Sequence, residues 1–133
     1  MKFRTVALAI TSLIATTVVH AGIVASPNPV NFTGQGGRVY FKTVTVTNQG
    51  PGFASNLSAN LNWLNGSTGD INVSFDTCTG ATLAVGGTCT VRLVFDSGCP
   101  KAGWVSYSLD ITSSTLPTLS VPVRGTTNAG ICV

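Results

Sequence analysis

A chain of 133 residues has room for one domain of ordinary size. Its formal net charge of +3 falls to +1 once Lys2 and Arg4 leave with the leader described below, because Arg38, Lys42, Arg92, Lys101 and Arg124 then face Asp70, Asp76, Asp96 and Asp110. No basic stripe is left to neutralise phosphates, which argues against nucleic acid as a partner, and with only 8% of residues charged, electrostatic steering of a ligand is weak.

In chain order the leader comes first. Lys2 and Arg4 give a positive start, Val6 to Val19 a mostly apolar run, and Val19-His20-Ala21 the small or tolerated residues before Gly22. That order of parts is a secretory signal peptide. The run is shorter than the roughly 20 residues that span a bilayer, and Thr11, Ser12, Thr16 and Thr17 dilute it. We therefore expect residues 1–21 to be a signal peptide and residues 22–133 to be one exported domain, periplasmic or at the cell surface, with no membrane span in the mature chain.

Period-two alternation bounded by Gly, Asn and Pro then recurs to the end. A short strand near Ile23 to Ala25 continues at Val30 to Phe32. Val39 to Thr47 follows, with Val44 and Val46 on one side and Thr43, Thr45 and Thr47 on the other, and Asn48-Gln49-Gly50-Pro51-Gly52 breaks it. Leu57, Ala59, Leu61 and Trp63 share the apolar side of the next strand, so Trp63 is expected in the core; Asn65-Gly66 is a strong turn signal. Ile71, Val73 and Phe75 share a face, as do Cys89, Val91, Leu93 and Phe95 after the Gly86-Gly87 turn. Val105, Tyr107, Leu109 and Ile111 lie opposite Trp104, Ser106, Ser108 and Asp110, which turns Trp104 outward. Leu119, Val121 and Val123 close a set of about seven strands, an all-β antiparallel sandwich or barrel. The side taken by Tyr40 is left open, since it shares parity with both Lys42 and Val44. Gly-rich Thr33 to Gly37 is read as a turn, because no Lys-Ser/Thr follows to make a phosphate loop.

The chemistry-bearing residues are few. Cys78, Cys89, Cys99 and Cys132 all follow the leader, where oxidising conditions favour two disulfides in any of three connectivities. They contain no C-x-x-C pair, and His20 leaves with the leader, so neither a zinc site nor a Ser-His or Cys-His pair is expected. The chain has no Glu, and Asp76 and Asp96 suit turns. We expect no enzyme, no metal and no cofactor.

One segment carries more. Phe75-Asp76-Thr77-Cys78, then Leu83, Gly86-Gly87-Thr88-Cys89 and an alternating strand to Phe95, resembles the bacterial immunoglobulin-like domains called choice-of-anchor D or ASPM-SPD-2-Hydin (ASH-like). Val44-Thr45-Val46-Thr47-Asn48-Gln49-Gly50 and Val121-Pro122-Val123-Arg124-Gly125-Thr126 are similar to other parts of that pattern. The resemblance implies an immunoglobulin-like β-sandwich with a non-enzymatic interaction or scaffolding role. The residues themselves agree: Gly80, Gly86 and Gly87 let the chain return so that Cys78 meets Cys89, which leaves Cys99 for Cys132. The expected function is a binding or adhesion module for an unknown protein or glycan, with Trp104 as the candidate contact. The alternative is a structural subunit of a surface fibre, self-associating through edge strands or through residues 22–33.

Overall fold

A computed structural model describes residues 22–98 and 102–129. The leader, Cys99 and Cys132, with their expected cleavage and bridge, lie outside the described residues. Eight strands follow one another: β1 Ile23–Ser26, β2 Val30–Gln35, β3 Val39–Asn48, β4 Ser58–Gly66, β5 Asp70–Asp76, β6 Thr88–Asp96, β7 Gly103–Thr112 and β8 Leu119–Asn128. They form two four-stranded sheets, the first ordered β1-β3-β6-β5 and the second β2-β8-β7-β4. No helix occurs among the described residues, so none there is long and apolar enough to cross a membrane.

The expected seven strands become eight because the N-terminal segment is two strands in two sheets. Pro27 and Pro29 offer no N–H, so the ladder of β1 on β3 cannot run through them. The chain crosses to the second sheet instead, and β2 runs parallel to β8, the one departure from an antiparallel sandwich. Ile23, Val30 and Phe32 are thereby buried in the domain's own core. Residues 22–33 are thus used within the fold, which removes the basis for donating them to a neighbour. Among the described residues each of the four end strands, β1 and β5 of the first sheet and β2 and β4 of the second, is paired on one side only.

Alternation fixes which side chains fill the space between the sheets. Val44 and Val46 of β3, Val91, Leu93 and Phe95 of β6, and Leu109 and Ile111 of β7 are fully covered, each burial being worth about 1.5–3 kcal/mol. Phe95 is central: its ring centre lies 5.5 Å from that of Phe32, and Tyr40 stacks on it at 6.4 Å. Tyr40 therefore belongs to the inner side, half-buried at its margin, its hydroxyl accepting the Gln35 N–H at 2.9 Å. A Cβ at Gly125 of β8 would overlap the Phe95 ring, so glycine there makes room for the largest core side chain.

One end of the sandwich is tied by two devices. Cys78 and Cys89 form a buried disulfide with Cα atoms 5.0 Å apart, closing the loop between β5 and β6. Asp76 starts that loop as a turn residue, its Oδ1 accepting the N–H groups of Cys78 at 2.7 Å and Thr79 at 3.0 Å. Buried Asn48 then joins this loop to the one after β3. Its Nδ2 donates to the carbonyls of Gly52 and Leu83, at 2.8 and 2.9 Å, while its Oδ1 accepts the Gly50 N–H at 2.8 Å.

Candidate binding surfaces

The outer face of the second sheet is built by the residues of β7, β8 and β4 that alternate away from the core. Trp104 starts the row on β7, 40% exposed, followed by Ser106, Ser108 and Asp110. Ser106 pairs across to Arg124 of β8, whose guanidinium carbon stands 4.9 Å from the centre of the Trp104 ring. Such a contact is worth about 0.5–1 kcal/mol at an exposed site.

At the other end of the row Asp110 collects hydroxyl and amide donors. Ser108 Oγ donates to its Oδ1 at 2.7 Å and Asn62 Nδ2 to its Oδ2 at 2.8 Å. The hydrogen bond from Ser108, then those from Ser120 and Asn62, hold its carboxyl below the ordinary aspartate range, against an opposing effect of partial burial. About 20 Å of strand separates Trp104 from Asp110, and short polar side chains, including Asn60 and Asn31, fill the interval and its flanks. A stacking aromatic, a guanidinium and fixed amides on one flat face can hold a polyhydroxylated ligand by ring contact and hydrogen bonds.

Two apolar surfaces lie elsewhere. Trp63 keeps the inner parity expected for it, opposite Tyr107, yet is 60% exposed, because β4 is an edge strand and its side chain overhangs the margin of the sandwich. A bulge between Trp63 and Asn65 and a hydrogen bond from its Nε1 to the Gly66 carbonyl at 3.2 Å fix it there, beside exposed Leu64. The expectation of a core Trp63 is therefore corrected. On the outer face of the first sheet Val39, Phe41 and Phe75 are all more than half exposed, and Arg92 lies over Phe41 at 4.3 Å.

Phe75 was expected on the side of Ile71 and Val73. The bulge between Val73 and Phe75 inserts one residue, so Phe75 pairs with outward Arg92 while Ile71 pairs with buried Phe95. Alternation alone had the signal for Phe41, which shares parity with Thr43, but none for Phe75. Of the other titratable groups, Asp96 caps a turn by accepting the Gly98 N–H at 3.1 Å. No group of three or more His, Cys, Asp or Glu poised for a metal occurs among the described residues.

No protein-family model matches the chain, and no curated protein matches it. Solved structures do. The chain is similar to part of a secreted serine protease, VesC, from Vibrio cholerae, with 21% identity and a TM-score of 0.61 over 81% of this chain and 23% of that one. It is also similar to an ASH/PapD-like domain of human CEP192, with 12% identity and a TM-score of 0.55 over 84% of this chain and 88% of that one. A third likeness, at 9% identity and a TM-score of 0.56, is to a family 123 glycoside hydrolase from Clostridium perfringens, over 78% of this chain and 23% of that one. The chain spans about a quarter of the length of VesC. At these identities the likeness establishes the fold, an immunoglobulin-like β-sandwich of the kind that includes ASH/PapD-like domains.

Proposed function

We propose that this chain is an exported, non-enzymatic binding module of the choice-of-anchor D kind, released from residues 1–21 by cleavage after Ala21, and that it recognises a glycan on the outer face of its second sheet. The observation that carries the reading is Trp104, 40% exposed on the outer face of a regular strand with Arg124 over its ring. Indole stacks on the C–H face of a sugar, and the Asn, Ser and Asp side chains along β7 and β4 offer the directional partners that hydroxyl groups require. A protein ligand would be served better by the apolar residues elsewhere on the molecule than by this polar face. The disulfide supports export, because such bonds persist in oxidising compartments.

A panel of immobilised neutral and acidic glycans tests the reading, probed with the mature protein and with Trp104→Ala. The variant should lose about tenfold or more in affinity while its stability changes by less than about 1 kcal/mol, as befits an exposed side chain. Binding by stacking should persist in high salt, since screening weakens charge pairs but hardly touches apolar burial. A variant that binds as well as the parent, or a parent that binds no glycan, overturns the assignment.

A further inference from the structure

The outer face of the first sheet is ordered in three cross-strand rows. Val39, Asp96 and Asp70 form one row, Phe41, Val94 and Asn72 the next, and Thr43, Arg92 and Phe75 the third. Val39, Phe41 and Phe75 are 53%, 52% and 58% exposed, an apolar display that on a soluble domain marks an interaction surface. The charges are separated by sign, with two carboxylates in the first row and one guanidinium in the third. Asp70 and Asp96 face each other directly across β5 and β6, a like-charge pair that works against the sheet that carries it. Arg92 is too far to relieve them within its own chain, because four residues of strand, about 13 Å, separate it from Asp96; it rests on Phe41 instead.

This arrangement is complementary to itself. A two-fold axis lying along the middle row, across the strands, places that row on its own copy and exchanges the first row with the third. Phe41 then meets Phe41 of the other copy and Val94 meets Val94, while each Arg92 stands over Asp96 of the other copy, with the Asp70 of that copy one strand to the side and facing Phe75. Packed sheets lie about 10 Å apart, a gap that these side chains fill from both sides. We propose that this face is the interface of a two-fold symmetric homodimer, closed by Phe41 and Val94 at its centre and by Arg92 against Asp96 at each end. Such an interface is isologous, so one patch serves both partners and the assembly stops at two. It leaves the Trp104 face free on the opposite side of each sandwich, and it does not depend on what that face binds.

The test is a charge exchange read by sedimentation velocity on the mature protein over a concentration series. The parent should dimerise. Arg92→Asp and Asp96→Arg should each weaken self-association about tenfold or more, because like charges then meet across the axis. Mixed together, the two variants should recover a dimer, since in the mixed pair both ends again join opposite signs. Circular dichroism checks that each variant is folded, Asp96→Arg above all because it loses the Gly98 contact. A parent that stays monomeric, a dimer indifferent to Arg92→Asp, or single variants that fail to recover on mixing would each overturn the proposal.

Discussion

Asp110 decides how the second sheet's outer face responds to acid. Its carboxylate is stabilised by donors from three strands, Ser108 on β7, Ser120 on β8 and Asn62 on β4, so its folded pKa lies below the unfolded value of about 3.9. A depressed carboxyl contributes stability that is fully present above the unfolded value and is lost as pH falls through the folded one. Asp110→Asn should therefore lower the urea midpoint at neutral pH, with the gap to the parent closing as the pH is taken well below the ordinary aspartate value. A gap of equal size at both pH values would count against the carboxylate as its source. The two tryptophans show what can be read at this scale. Alternation placed Trp104 outward correctly because β7 is regular and lies between two neighbours. The same rule gave Trp63 the correct side but the wrong environment, since parity says nothing of whether another strand stands beside the residue.

At the scale of elements, the loop between β5 and β6 is where covalent and polar ties converge. The disulfide closes residues 79–88, and backbone bonds from Ala54 to Leu83 and from Leu57 to Ala81 lace the same loop to the one after β3. In the chain-entropy account, closing so short a loop restrains the unfolded chain by about 3 kcal/mol. Cys78→Ala should cost at least that, because Cys78 is fully covered and its loss also leaves a void. The Cys89 thiol is nearly as buried, so it should react with a thiol reagent only as the variant unfolds. Urea denaturation and thiol labelling over the same series measure both; rapid labelling of the folded variant would show a loop held by the bridge alone. This pairing was legible, as two cysteines flanking a glycine-containing loop specify a return of the chain. The Ser74 bulge was not, because one inserted residue leaves the composition of β5 unchanged while turning Phe75 from the core side to the face shared with Arg92.

On the scale of the whole molecule, the N-terminal segment stitches the two sheets together. β1 adds to the edge of the first sheet and β2 to the edge of the second, so a single stretch of chain closes one side of the sandwich. The sequence showed both apolar patches, Ile23 to Ala25 and Val30 to Phe32, but counted them as one interrupted strand. The crossing is specified by which sheet edge each half meets, a long-range property that periodicity does not contain. Its energetic weight follows from burial: Ile23, Val30 and Phe32 together contribute about 4.5–9 kcal/mol at 1.5–3 kcal/mol each. That is comparable with the whole stability of an ordinary domain, about 5–15 kcal/mol. Loss of β2 would also expose the edge of β8 and uncover one side of Phe95. A chain shortened to begin at Gly36 should therefore lose its cooperative urea transition, and a synthetic peptide of residues 22–35 should restore it in proportion to concentration, because the register of β2 on β8 is written in both partners. A shortened chain that unfolds cooperatively at the parent's midpoint would mean that the segment is an ornament on a sandwich already complete.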